Sequence, residues 1–231
     1  MTISNDSLIW AKNHKKSFVL NLVTSCRALS EGEPAGIFMA GLPGAGKTEL
    51  SKSIIEDSGV KLLRIDMDEI AKALPGYEPG QADSFRKPAT LLLSEVFGYA
   101  LKKKISFIMD GTFGNAKARE NIERSLKHSF LAKIVYVFQD PKLAWRFTVA
   151  REKIEYRAIK FDGFIEAYYK TIDNIKLIGE EFGDRITLDI AIKNPDNKVG
   201  RWERNVKMSE IDKILTIEYN KDKLIQYIKG A

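Results

Sequence analysis

The sequence predicts an α/β fold, a mainly parallel sheet flanked by helices. Two observations predict it. Short continuous apolar runs alternate with longer helical patterns, as strands buried on both faces and joined by crossover helices require. A cluster of glycines then sits between the first apolar run and the first helical pattern, where a parallel sheet places a ligand loop.

The elements follow in order. Residues 1–34 read as a helical lead-in with one apolar stripe (Leu8, Ile9, Ala11, Phe18, Val19, Leu22, Val23) that packs on the core and ends in the turn chemistry of "SEGEP". Strands are expected at Gly36–Ala40, Lys61–Ile65, Ile105–Met109 and Lys133–Phe138, with helices at about 47–57, 86–104 and 115–128 between them. From Pro141 to about Gly183 the chain is helical and charged. Two strand-like pieces, "RITLDIAIKN" and "KILTIEY", and a last helix, "NKDKLIQYIKG", complete it. Neither a repeat nor a Gly/Ser/Pro-rich linker divides the chain, so we read one domain over 1–231: a core at 36–180 with a lid at about 141–160, and a C-terminal addition at 185–231.

Composition bounds the function. With 44% hydrophobic residues, a chain of 231 can bury a substantial core. Its net charge of +6 suits an acidic substrate without calling for nucleic acid. One cysteine, Cys26, excludes an internal disulfide, and with no signal-peptide pattern the cytoplasm is the default expectation. No run approaches the roughly 18 apolar residues of a membrane span, so no membrane partner is expected.

The glycine cluster carries the chemistry. "GLPGAGKT" (Gly41, Leu42, Pro43, Gly44, Ala45, Gly46, Lys47, Thr48) fits G-x-x-x-x-G-K-[ST] in full, between an expected strand and an expected helix. Backbone N–H groups and the helix N-terminus would face phosphate oxygens, Lys47 would reach the β and γ phosphates of ATP, and the Thr48 hydroxyl would face Mg²⁺. A GTPase needs Asn-Lys-x-Asp, and "DNKVG" offers Asn197 and Lys198 without the Asp. The transporter signature LSGGQ is also missing.

Acids stand at the ends of the next two apolar runs. In "RIDMDEIAKALPGY", Asp66 and Asp68 share a face if the strand persists, and Asp68 is the candidate base for an acceptor hydroxyl; either carboxylate also suits a helix N-cap. "FIMDGTF" places Asp110 as an acid orienting Mg²⁺ or its water, with Thr112 free to approach a substrate. After the fourth run, "DPKLAWRFTVAREKIEYRAIK" is a basic helical region whose Arg146, Arg151 and Arg157 are candidates to neutralise a transferring phosphoryl group.

Together "FMAGLPGAGKTE", "IDMDEIAKALPGY", "FIMDGTF" and "VYVFQDPKLAWRFTVAREKIEYRAI" resemble the zeta toxin family of P-loop kinases over about Gly36–Ile178. The resemblance implies a three-layer P-loop kinase fold, and an enzyme that phosphorylates the 3′-hydroxyl of the amino sugar in UDP-N-acetylglucosamine as the toxin of a toxin–antitoxin pair. It implies Lys47 and Thr48 on ATP and Mg²⁺, Asp68 as base and Arg151 and Arg157 as lid cations. A family glutamate that contacts the sugar nucleotide aligns with Glu95. The sequence departs from the family on the acceptor side: Ala71 follows Ile70 where the family often has Arg, with only Arg86 as a replacement, and Phe113-Gly114-Asn115 stands where characterised toxins have a basic segment. Two other readings remain: a kinase of nucleosides, dinucleotides or polynucleotide ends, and a non-catalytic NTP-dependent regulatory module.

His14 and His128 read as surface or capping residues, and Cys26 as a small hydrophobe on the first helix. Trp145, Phe147, Tyr168 and Tyr169 read as packing rather than base-stacking groups.

Overall fold

The computed structural model describes residues 3–24, 26, 32–60, 62–111, 113–155, 159–215 and 220–230. Helix α1 (Ile3–Val23) precedes β1 (Ala35–Gly41), α2 (Lys47–Asp57), β2 (Leu63–Asp66) and α3 (Met67–Lys72). Then come α4 (Ala82–Lys102), β3 (Phe107–Asp110), α5 (Lys117–Lys127), β4 (Leu131–Phe138), α6 (Pro141–Glu155) and α7 (Phe161–Phe182). The chain continues through β5 (Ile186–Lys193), β6 (Val199–Glu203), α8 (Ile211–Ile214) and α9 (Lys221–Lys229).

The sheet order is β2-β3-β1-β4-β5-β6, parallel except for β6. Strand β1 therefore lies in the interior, with β3 on one side and β4 on the other, and the loop after it opens at the edge where α/β sheets bind ligands. Side chains of the parallel strands (Phe38, Met39, Ile65, Phe107, Ile108, Ile134, Val135) are almost fully buried, as continuous apolar runs in a three-layer fold require. Phe107 is the centre of an aromatic cluster, edge-on to Phe38 and Phe97 at centroid distances of 5.6 and 5.3 Å.

Helix α1 packs on α4, as its apolar stripe predicts. Trp145 sits edge-on to Phe161 and Phe164, and Tyr168 is buried against Tyr169, so these aromatics are packing groups. His14 stacks on Trp10, and the His14 and His128 rings each hydrogen-bond the carbonyl four residues earlier.

The C-terminal addition needs a correction. The strand expected in "KILTIEY" is not one where it is described: Lys213 and Ile214 belong to α8, and residues 216–219 lie outside the described residues. The strand that pairs with β5 on its outer side is β6, "VGRWE", an antiparallel edge strand. An edge strand half open to solvent carries no apolar run, which is why periodicity passes over it.

Candidate nucleotide and phosphoryl-transfer site

The loop from Gly41 to Thr48 is flanked by α6 and the β5–β6 hairpin. Gly44 adopts φ +74°, and a side chain there would run into the Ala144 carbonyl of α6 and come within 2.7 Å of the Thr148 hydroxyl. Gly46 adopts φ +81° and faces Asn197 and Lys193 of the β5–β6 hairpin. These glycines serve both the left-handed backbone and the close approach of neighbouring chain.

Lys47 opens α2 and folds back onto the loop, its Nζ donating to the carbonyls of Gly41 (3.0 Å) and Leu42 (2.6 Å). Burial pushes its pKa down to about 8, against the pull of Asp110; the Arg151 guanidinium of α6 pushes the same way as burial. Arg151 is thus near enough to Lys47 for its charge to register there.

Thr48 Oγ1 donates to Asp110 Oδ2 at 3.1 Å, joining the loop exit to the end of β3. The register pairs Asp66 with Asp110, so the two acids stand side by side at the edge of the sheet. The strand does not persist past Asp66, and Asp66 and Asp68 do not share a strand face. Asp66 instead caps α3: its Oδ1 accepts from the amides of Asp68 (2.7 Å) and Glu69 (3.3 Å). Asp68 is half-buried in the first turn of α3, beside the cap.

Arg64, which the motif analysis passed over, organises this cluster. Its Nη2 donates to Asp66 Oδ2 (2.5 Å) and Asp110 Oδ2 (2.7 Å), its Nε donates to the Ser51 hydroxyl (3.0 Å), and its Nη1 pairs with Glu69. Burial works against its charge, but the Asp110 hydrogen bond and the charges of Asp66, Asp110 and Glu69 outweigh it and raise its pKa. Burial also raises the Asp66 carboxyl above the ordinary range, with Asp110 adding to the rise and Arg64 opposing it. The signal for Arg64 was present as a cation inside the apolar stretch "LLRI", two residues before Asp66 and so on the same face.

The remaining expected residues are placed less centrally. Glu95 lies on α4 with its carboxylate 2.6 Å from the Lys15 ammonium of α1. Arg146 and Arg86 are exposed on α6 and α4. Thr112 and Arg157 lie outside the described residues. Among the described residues no group of three or more His, Cys, Asp and Glu is arranged to hold a metal ion. The Thr48 hydroxyl and the Asp110 carboxylate are hard oxygen donors that suit Mg²⁺ only alongside further oxygens, such as those of phosphates.

A strand, a glycine loop wrapped for phosphate and a helix, set at the carboxyl edge of a mainly parallel sheet, define a P-loop protein of kinase-like fold. The pattern of the family described as Zeta toxin matches residues 21–207, and the chain belongs to that family. Its fold is similar to a structure from the PezAT chromosomal toxin–antitoxin system of Streptococcus pneumoniae, with TM-score 0.67 and 16% identity, covering 96% of this chain and 87% of that one. It is also similar to a chain of the AvrRxo1-ORF1:-ORF2 complex, with TM-score 0.66 and 12% identity, covering 89% and 72%. The same complex solved with ATP gives 0.64 and 12%, covering 93% and 74%. At these identities the likeness is one of fold. A curated relative, the ATPase family gene 2 protein homolog B of Mus musculus, is 33% identical over 82 residues, or 30% of this chain and 10% of that protein. The chain thus spans about a tenth of the length of the curated relatives it matches. No helix among the described residues is long and apolar enough to cross a membrane.

Proposed function

We propose that the chain is an ATP- and Mg²⁺-dependent kinase that transfers the γ-phosphate to a hydroxyl of a nucleotide-linked small molecule. The leading acceptor is the 3′-hydroxyl of UDP-N-acetylglucosamine, and the leading role is the toxin of a toxin–antitoxin pair. The observation that carries this reading is the convergence of Lys47, Thr48 and Asp110 at one sheet edge, with Asp68 donating its amide to Asp66, the neighbour of Asp110 in register.

In this reading Lys47 exchanges the loop carbonyls for phosphate oxygens, which restores the ammonium's full counter-charge. Thr48 and Asp110 hold the Mg²⁺ side of the nucleotide; the ion, when bound, neutralises phosphate charge. Asp68 takes the proton of the acceptor hydroxyl as that oxygen bonds to the γ-phosphorus. The bond to the β–γ bridging oxygen breaks, and ADP leaves with its electron pair. Arg151 and Arg157 balance the charge that spreads onto the transferring oxygens. Asp66 shapes the acceptor side through the α3 cap it makes, Thr112 approaches the acceptor, and Glu95 reaches a sugar nucleotide by releasing Lys15.

An antitoxin partner is proposed because one fold neighbour comes from a toxin–antitoxin system and another from a two-protein complex. Cytoplasmic location belongs to the same reading.

The test is incubation with γ-labelled ATP and a panel of UDP-sugars, nucleosides, dinucleotides and oligonucleotides. Label on UDP-N-acetylglucosamine is the expected result. Label on another member would overturn that acceptor, and ADP release with no labelled member would overturn the kinase reading.

A further inference from the structure

Arg64 brings a permanent charge into a place where the site would be expected to keep room for a metal. Its side chain is 9% exposed, and those of Asp66 and Asp110 are 11% and 6% exposed, so water screens the three only weakly. Two adjacent buried carboxylates repel each other unless a cation lies between them. Nη2 of Arg64 lies there, 2.5 Å from one acid and 2.7 Å from the other. On Asp110 it occupies Oδ2, the same oxygen that accepts the Thr48 hydroxyl. A divalent cation approaching Thr48 and Asp110 therefore meets a carboxylate oxygen that already accepts from a guanidinium and a hydroxyl.

We infer that Arg64 is the resident counter-cation of the Asp66–Asp110 pair, a positioning residue that makes uptake of a divalent cation depend on the nucleotide's phosphates. The inference rests on the proposed reading of Thr48 and Asp110 as the metal side of the nucleotide site. Without phosphates, the site offers one hydroxyl and one carboxylate whose Oδ2 is held by Arg64, too few hard oxygens to strip water from Mg²⁺. With them, the phosphate oxygens supply the missing ligands and charge, and Arg64 still holds both acids in register.

The probe is Mn²⁺, its free form followed by electron paramagnetic resonance, with the full chain alone and with a non-hydrolysable ATP analogue, after subtraction of the Mn²⁺ that the same analogue binds without protein. Wild type should bind Mn²⁺ at least about 100-fold more weakly alone than with the analogue, and Arg64→Gln should raise the nucleotide-free affinity by about tenfold or more. Adding Asp110→Asn should abolish that gain, and Arg64→Lys, which keeps the positive charge between the two acids, should stay within about threefold of wild type. If Arg64→Gln does not fold, Arg64→Gln/Asp66→Asn, which removes one charge of each sign, carries the same comparison. Equal wild-type affinity for Mn²⁺ with and without bound analogue, or no gain in the Arg64→Gln series, overturns the inference. Failure of wild type to bind the analogue at all overturns the nucleotide reading instead.

Discussion

Thr48 Oγ1 and Asp110 Oδ2 lie 3.1 Å apart, a hydrogen bond between residues 62 positions apart in the chain. It fixes the hydroxyl at the loop exit against the acid at the end of the neighbouring strand, so both oxygens face one point beside the phosphate loop. In the proposed reading, nucleotide chemistry at this sheet edge depends on that alignment.

Lys47→Ala removes the only side-chain charge that the loop itself carries. ATP-dependent phosphorylation should be abolished, and with it any growth inhibition on overexpression. Labelled transfer and plating efficiency measure the two outcomes, and full toxicity in this variant would refute the kinase-as-toxin reading.

Asp68→Asn keeps the shape of α3 and its cap, because Asp66 makes the cap. ATP binding should be nearly unchanged while transfer falls on the order of 10²-fold or more, the usual loss for a missing general base. Normal transfer with weakened ATP binding would reverse the role assigned to it.

Lys47 also sets a pH signature. With its pKa lowered from 10.5 to about 8, the free protein has lost, between those values, a proton that an unfolded chain keeps. Stability from this group therefore rises as pH climbs from about 8 to 10.5, because the unfolded state binds more protons there. Triphosphate binding should restore the charge, so nucleotide uptake near pH 9 should draw a proton from buffer. Calorimetry in two buffers of different ionisation enthalpy reads that proton; it should vanish near pH 6 and in Lys47→Ala.

Gly44→Ala should cost more than Gly59→Ala. Both glycines have positive φ, +74° and +65°, but Gly59 faces open space whereas Gly44 faces the Ala144 carbonyl. The strain shared by both is about 1 kcal/mol, and the clash at Gly44 adds to it. Urea denaturation should rank the two variants in that order, and only Gly44→Ala should weaken nucleotide binding.

Much of the core was legible because its elements obey local rules. The strand expected at Gly36–Ala40 is Ala35–Gly41, the helix expected at 47–57 is Lys47–Asp57, and the strand expected at Lys133–Phe138 is Leu131–Phe138. Boundaries slipped where no apolar contrast marks them. Helix α4 begins at Ala82 rather than about 86, and runs through Pro88 in its second turn, where the missing N–H leaves the Ser84 carbonyl without its intrahelical donor. Strand β6 was illegible because its alternation is weak and its partner, β5, is set by a hairpin rather than by its own composition.

The sequence by itself determines the phosphate loop, the alternation of strands and helices, and the acids at the strand ends, because glycine conformations and apolar periodicity act over a few residues. The structure selects the helix cap among the roles the sequence left open for Asp66, and the tertiary structure alone decides that Glu95 faces Lys15 and that Arg64 joins Asp66 to Asp110. The physical reason is register: Arg64 and Asp110 are 46 residues apart and meet only because β2 lies parallel to β3 with Asp66 beside Asp110. That alignment is set by how whole strands pack, and no local pattern around either residue encodes it.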